Sequence, residues 1–408
     1  MDKEESYSKL EQLQQGQVSI AETLLQGQKN SAESQTKLLQ GQKNRAEGQA
    51  KLLQGQKNSA EGQAKLLQGQ DTILKDLSSI KQDQRRIIES HAKEYTEKLK
   101  VSIKQQTDFL LSEEEDKKIR TDDIFTSVTI QRGPKRFKEP QEEELDEIQA
   151  KSTKLKNCSE MFLCPENDDQ QSTASCTTNP KSILLTGKAE IGKSLFCRKL
   201  VRDWSHDRLF EEGQENAKVP DFQFVFLLTF RQLVLPGKNR LDLHDILNQS
   251  SLLNEHSVID LPLLQYMIEN PEKLLIILDG YDEYKHREKI IEDFESRYRN
   301  DPNEKIPVPA LIAKIMKGKL LNGAVVLISS RPGEAEELKE IAFDVRCDIQ
   351  GFSSLQVIEY IEKYFKENES MKNKALDHIK TNEILLSFGH IPVMCFLMCY
   401  YIKWYMTE

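Results

Sequence analysis

The stretch Ser182–Phe196, SILLTGKAEIGKSLF, constrains the fold more than any other part of this chain. An apolar run ends in Gly187, four residues follow, and Gly192-Lys193-Ser194 opens a helix-forming segment. This is the complete G-x-x-x-x-G-K-[ST] pattern, in strand–turn–helix context. Glycine permits backbone conformations that other residues resist, so successive N–H groups can converge on phosphate oxygens. The positive end of the following helix adds to the attraction. Gly187, Lys188, Ala189, Glu190, Ile191, Gly192, Lys193, Ser194 and Leu195 are the candidate nucleotide-binding residues. Lys193 is expected to reach the β- and γ-phosphates and Ser194 to ligate Mg²⁺. The plainer alternative is a glycine turn before a helix, with no ligand.

Two further strand ends belong to the same chemistry. Lys273–Glu283 reads KLLIILDGYDE, a buried strand ending in Asp279. Asp279 is expected to hold Mg²⁺ through water, because Mg²⁺ keeps much of its hydration shell. Asp282 and Glu283 are placed to orient or deprotonate an attacking water. Taken alone, this cluster also reads as a solvated acidic turn. GAVVLISSRPGE supplies Arg331 at the end of another strand. Strand C-termini of a parallel sheet share one edge, so Arg331 is expected to face the same phosphate as Lys193. It would report a γ-phosphate or stabilise charge during transfer. Its alternative is a strand-end salt bridge.

The strands SILLT, FQFVFLLTF, KLLIILD and GAVVLISS alternate with helical segments. Continuous apolar strands of this kind indicate an α/β fold, a mostly parallel sheet covered on both faces. The expected nucleotide-binding domain covers 182–345 and a smaller helical domain 346–408. Residues 113–181, charged and then rich in Ser, Thr and Asn, read as a linker, so the folded core is expected to start near Ser182.

Before that linker the chain repeats itself. LLQGQKNSAESQTK begins at Leu24, LLQGQKNRAEGQAK at Leu38 and LLQGQKNSAEGQAK at Leu52, and LLQGQ begins again at Leu66. The period of 14 is two heptads. One heptad position reads Leu25, Ala32, Leu39, Ala46, Leu53, Ala60, and the position three later is Gln throughout, Gln28 to Gln70. A sustained seven-residue repeat predicts a coiled coil. Glycine in every repeat weakens an isolated helix by about 1 kcal/mol each. Residues 1–71 therefore read as a conditional coiled coil that orders when copies meet, or as a polar low-complexity spacer. Residues 72–112 predict a long amphipathic helix, with Leu74, Leu77, Ile80, Ile87, Ile88, Tyr95, Leu99, Ile103 and Leu110 on one face.

Composition narrows the partners. Among 408 residues, 38% are hydrophobic and 30% charged, too polar for one compact globule. A net charge of −9 gives no global field for nucleic acid, and Lys135-Arg136-Phe137-Lys138 reads as solvated linker. The longest apolar run, Ile391–Ile402, is too short for a bilayer and predicts a buried helix. The polar N-terminus MDKEESYSKL is no secretory signal. Cys158, Cys164 and Cys176 lack C-x-x-C spacing, and Cys197, Cys395 and Cys399 sit in apolar helical patterns. A reducing, cytoplasmic compartment fits.

The trio GKAEIGKS, LLIILDGYDE and VVLISSRP resembles the NACHT domains of NOD-like receptors, within the signal-transduction ATPases with numerous domains. AAA+ proteins usually carry Glu directly after the Mg-binding Asp, whereas here Gly280 intervenes and the acidic pair follows. VRCDIQGFSSLQVIEYIEKYF resembles the Gly-Phe-Ser segment that opens the family's small helical domain. FGHIPVMCFLMCYYI resembles the segment whose proline lies near adenine, which implies Pro392 as the adenine contact. TDDIFTSVTIQRG, from Thr121, more loosely resembles the segment preceding NACHT. No complete winged helix, leucine-rich repeat or death-fold pattern is recognisable by Glu408, as in a fragment or a short form.

The resemblance implies a switch that binds ATP or ADP with Mg²⁺ and self-associates through NACHT and the N-terminal helices. Slow hydrolysis would reset it, and an unidentified signalling partner would read it, in innate-immune or cell-death-like signalling. Two other classes remain open. One is a coiled-coil scaffold with a structural nucleotide. The other is a different P-loop ATPase or kinase, for which no acceptor pocket or basic lid is visible. The phosphate motifs do not choose between ATP and GTP.

Overall fold

The computed structural model describes residues 4–113, 117–133, 153–155, 157–163, 179–210, 219–234, 240–292, 294–339 and 341–407. The chain divides into two compact units, 1–85 and 86–408. Cys164, Cys176 and the basic cluster 135–138 lie outside the described residues.

The first unit is helical, the larger part of α1 (Glu4–Thr107). The repeats that glycine was expected to leave marginal form an unbroken helix. Side-chain amides support it locally: Gln26 donates to Asn30 and Gln40 to Asn44, each at 3.3 Å. Its leucines are exposed, Leu25 at 68% and Leu52 at 67%.

In the second unit, the end of α1 packs through Ala92, Tyr95, Leu99 and Ile103, spaced three or four apart. Tyr95 donates to the Ser257 carbonyl at 2.9 Å and Ser102 to that of Leu252 at 2.7 Å. Ile87 is exposed because it falls one residue off this stripe. Leu110 lies in a strand, past the helix end, and its side chain is outside the described residues.

A hairpin of β1 (Phe109–Glu113) and β2 (Lys117–Arg120) follows, then α2 (Thr121–Ile124). The main sheet takes β3 (Thr129–Arg132), β4 (Thr153–Lys154), β5 (Ser182–Gly187), β6 (Phe224–Thr229), β8 (Leu274–Asp279), β10 (Val325–Ser330) and β11 (Val345–Gly351). Two short strands, β7 (Arg240–Leu241) and β9 (Ile306–Pro307), pair separately. The order is β4-β3-β11-β5-β10-β8-β6. The five strands from β11 to β6 are parallel, and β3 and β4 add an antiparallel edge. Helices α3 (Lys193–Ser205), α4 (Leu243–Leu247), α5 (Leu261–Glu269), α6 (Glu288–Ile291), α7 (Val308–Met316) and α8 (Pro332–Ala335) lie between the strands in sequence. The fold is a P-loop NTPase sheet with flanking helices.

Two corrections concern boundaries. The expected linker supplies β3 and β4 and buries Met161 and Phe162 completely, so the core starts well before Ser182. The sheet also extends past residue 345, because β11 pairs with β5 from Val345 to Ile349. Its alternation of apolar Val345, Cys347 and Ile349 with polar Arg346, Asp348 and Gln350 hid it.

After β11 come α9 (Ser354–Tyr364), α10 (Glu369–Lys380), α11 (Glu383–Gly389) and α12 (Pro392–Thr407). They share a second, smaller core that includes Phe352, Val357, Ile361, Ile379, Cys395 and Cys399. The helix expected to be buried, α12, buries only one face, and Tyr400, Tyr401 and Trp404 are about half exposed or more.

Candidate nucleotide site

Strand order builds the site. β10 lies between β5 and β8, so Gly187, Asp279 and Ser330 end neighbouring parallel strands on one sheet edge. Gly187 closes β5, Lys188–Gly192 forms the loop, and Lys193 opens α3. Gly192 has φ 99°, in the region glycine favours, and Glu190 is held at φ 62° without that freedom. A Cβ on Gly187 would meet Ile191 Cγ2 at 2.8 Å, so Ile191 is packed beneath the loop. Lys193 Nζ donates to the carbonyls of Gly187 at 2.8 Å and Lys188 at 3.0 Å, which holds the ammonium across the loop. Burial lowers its pKa, opposed by the charge of Asp282. Lys188, Ala189, Glu190 and Ser194 are exposed, and Leu195 is half-buried.

Asp279 is buried at the end of β8. Ser329 Oγ donates to its Oδ1 and accepts from Gly280 N at 2.9 Å, so β10 orients the carboxylate. Gly280 turns the chain at φ 83°. Asp282 then accepts from Arg331 Nε at 2.8 Å. Arg287 donates to the Asp282 carbonyl at 2.9 Å and pairs with Glu337 at 3.0 Å, which ties the acidic turn to the segment after β10. Glu283 is exposed, with its carboxyl folded over Gly280. The structure thus gathers Lys193, Asp279, Asp282 and Arg331. Arg331 makes the strand-end ion pair, and its charge also acts on Lys193.

Beside the loop lies an apolar cavity of about 260 Å³. One wall is Glu190, Gly192, Leu195 and Phe196, from the loop and α3. A second is Phe352, Tyr360, Pro392 and Phe396, from the helical domain. The third is Ile124, Phe125, Thr126 and Val128, from the end of α2 and the segment that leads to β3. Thr126 Oγ1 is buried and has no hydrogen-bond partner among the described residues.

Each wall is anchored. Arg202 of α3 is 1% exposed and grips Asp122 with Nε at 3.1 Å and Nη2 at 2.8 Å, while Nη1 reaches Asp108 at 2.9 Å. This bidentate pair holds the Asp122 carboxyl down to about 2. Lys363 donates to the Phe125 carbonyl at 2.7 Å. Gly351, at φ 86°, lets the His390 carbonyl approach to where a Cβ would lie 2.3 Å away. Phe352 N donates to that carbonyl at 2.9 Å, and His390 Nδ1 hydrogen-bonds Phe352 O. The turn before Pro392 is thereby locked to the end of β11.

Residues 181–368 match the family model of the NACHT domain. The chain carries a NACHT domain of the NOD-like receptor type. It is 31% identical over 226 residues to the NACHT, LRR and PYD domains-containing protein 1 homolog of Danio rerio, covering 55% of this chain and 15% of that protein. It is 29% identical over 228 residues to Protein NLRC5 of Ictalurus punctatus, with 55% and 12% covered. With human NACHT, LRR and PYD domains-containing protein 12 it shares 29% over 230 residues, with 54% and 19% covered. The chain therefore spans less than a quarter of these relatives' lengths. Among solved structures, a RuvB mutant of Thermotoga maritima aligns at 10% identity and TM-score 0.24, covering 51% of this chain and 53% of that one.

The NACHT site fits a nucleotide on three counts. The loop presents backbone conformations that glycine provides. The apolar cavity adjoins it and carries one orphaned hydroxyl. Asp279 and Ser194 offer hard oxygens of the kind that Mg²⁺ takes. A larger cleft of about 790 Å³, lined by Lys93, Thr96, Gln223 and Tyr266, contains none of the loop residues. Asp242, His244 and Asp245 also cluster, but Lys305 pairs with Asp245 at 2.9 Å and His244 Nε2 bonds the Ile259 carbonyl. No described helix is long and apolar enough to cross a membrane.

Sequence reasoning marked the segment of Phe352 but missed Phe125, Thr126, Tyr360 and Ser329. The signal for the first two was Ile124-Phe125, an apolar pair in a polar stretch. Ser329 carried none, since a serine inside a buried strand looks like any small residue.

Proposed function

We propose that this chain is a nucleotide-operated signalling switch, in which ADP with Mg²⁺ holds the NACHT domain closed and ATP exchange opens it for self-association. Slow hydrolysis resets it. The observation that carries this reading is the shared wall of the base cavity: Phe196 belongs to the sheet core and Phe352 to the helical core. A ligand that touches both cores shifts the equilibrium between their packed and parted arrangements by its differential affinity for the two. Lys193 and Ser194 would hold the phosphates and Mg²⁺ with Asp279. Asp282 or Glu283 would orient the water, and Arg331 would meet the γ-phosphate once it exchanges Asp282 for it. We assign adenine to the cavity because its lining is almost wholly apolar, with Thr126 as the polar handle and Pro392 packed beside Gly192. The resemblance to NOD-like receptors supports a cytoplasmic, innate-immune or cell-death-like role with an unidentified signalling partner.

The test is the nucleotide that co-purifies with the protein, identified by chromatography, with Lys193→Ala alongside. ADP in the parent chain and its loss in the variant, with altered self-association, supports the switch. GDP overturns the base assignment. Unchanged assembly with unchanged nucleotide content leaves a scaffold instead.

A further inference from the structure

The helix α1 carries a face that nothing in the first unit covers. With Leu25 as heptad position a, Leu24, Leu38, Leu52 and Leu66 fall at g and every d position from Gln28 to Gln70 is Gln. The opposite face is already satisfied within the helix: Gln26 bonds Asn30, Gln40 bonds Asn44 and Gln54 bonds Asn58, all between positions b and f. Glu33-Lys37, Glu47-Lys51 and Glu61-Lys65 fall on the same two positions, in the favourable i, i+4 order. The leucine face, by contrast, leaves its side chains 62–70% exposed over four repeats. We propose that residues 24–74 bind a second copy of this chain, parallel and in register, through the face that carries Leu25 and Gln28.

The occupant follows from layer matching. Two parallel helices meet a to a and d to d, which stacks leucine on leucine and glutamine on glutamine. The glutamine amide both donates and accepts, so identical amides at one level satisfy each other. Antiparallel helices meet a to d, which would set every Leu against a Gln and leave the amides without polar partners. A parallel slip of seven residues sets Leu39 against Ala46 and loses half the apolar contact. Only another helix with the same 14-residue period keeps these layers matched throughout.

Charge agrees. In the parallel register each g residue faces the e residue five positions on in the second copy. Leu24 then faces Lys29, Leu38 faces Lys43 and Leu52 faces Lys57, so each lysine stem covers a leucine while its ammonium stays in water. The lone cation at g, Arg45, faces Ala50. No like charges oppose each other. This contact uses no residue of the nucleotide site and stands independently of the switch reading.

The experiment is disulfide cross-linking of the full chain, whose native cysteines all lie at or beyond Cys158. Gln28→Cys, Gln42→Cys and Gln70→Cys are each oxidised and compared with the parent and with Glu47→Cys on the outer face, in the presence of Lys193→Ala. The expected result is a homodimeric link at each glutamine site and none through Cys at 47. Mixing the 28 and 70 variants is expected to give like-with-like links alone. A 28-to-70 link overturns the parallel register. Equal linking at 47, or no link at any site with a monomeric mass in sedimentation, overturns the interface.

Discussion

Arg331 Nε lies 2.8 Å from Asp282 Oδ2, and the two partners are unequally solvated. The Asp282 side chain is 7% exposed and the Arg331 side chain 51%. Its other oxygen, Asp282 Oδ1, is buried with no partner among the described residues. The carboxylate's direct ion pair is therefore with a half-exposed cation, the residue expected to meet a phosphate. Arg331→Ala should destabilise the chain by about 1–2 kcal/mol, less than for a fully buried pair because Arg331 is screened by water. Asp282→Asn, which removes the charge that needs a partner, should cost less. Urea unfolding of both variants decides this, and an equal or larger loss for Asp282→Asn counts against it.

Gly351 and Gly318 both have positive φ, at 86° and 63°, but differ in their surroundings. A Cβ on Gly351 strikes the His390 carbonyl, whereas one on Gly318 meets nothing within 4 Å. Gly318→Ala should cost about 1 kcal/mol of backbone strain. Gly351→Ala should cost several-fold more, since it also parts β11 from the turn before Pro392. Melting temperatures measure the difference, and nucleotide retention should fall in the Gly351 variant alone.

Thr126 gives opposite signs for folding and binding. Its hydroxyl lies buried in the apolar cavity without a partner among the described residues. Thr126→Val should raise the stability of the nucleotide-free chain by about 1 kcal/mol, because an unsatisfied polar group is removed. If the hydroxyl meets the base, nucleotide affinity should fall by about tenfold, the equivalent of one lost hydrogen bond. Thermal shifts with and without Mg²⁺-ATP separate the two effects.

Asp122 sets an acid limit. Its carboxyl is held at about 2 by the Arg202 hydrogen bonds, against an ordinary value of 3.8. A carboxyl depressed in the folded state binds protons more readily when unfolded. Its contribution is therefore complete above the ordinary value and lost as pH falls toward about 2. Asp122→Asn should flatten the stability loss in that window and leave its slope near neutrality unchanged. Denaturant midpoints across the acid range test the sign.

The helical glycines of the repeats make a fifth test. Gly41, Gly48 and Gly55 have no atom within 4 Å of an added Cβ and no positive φ. Replacing each with Ala should stabilise the helix by about 1 kcal/mol per site. Far-UV ellipticity on heating should show a later loss of helix, without any change in cross-linking register.

Much of the site was legible in sequence because its parts are local. The spacing from Gly187 to Ser194 encodes one turn and one helix start, and Asp279 and Arg331 announce themselves by ending apolar strands. The apolar cavity was only partly legible: the family resemblance pointed to Pro392 and the Phe352 segment, but Phe125 and Phe196 join them from two other parts of the chain. Strand β11 escaped because only one of its faces is fully buried, so half its residues are polar.

By itself the sequence determined the phosphate loop, the parallel strands and the 14-residue period, since each depends on neighbours within a few turns or one strand. Tertiary structure decided which strand stands between Gly187 and Asp279, that Arg331 meets Asp282, and that a segment counted as linker walls the cavity beside Pro392. Those outcomes depend on buried contacts between residues far apart in the chain, such as the Arg202–Asp122 pair and the His390–Phe352 lock. Their free energy exists only once the sheet has assembled.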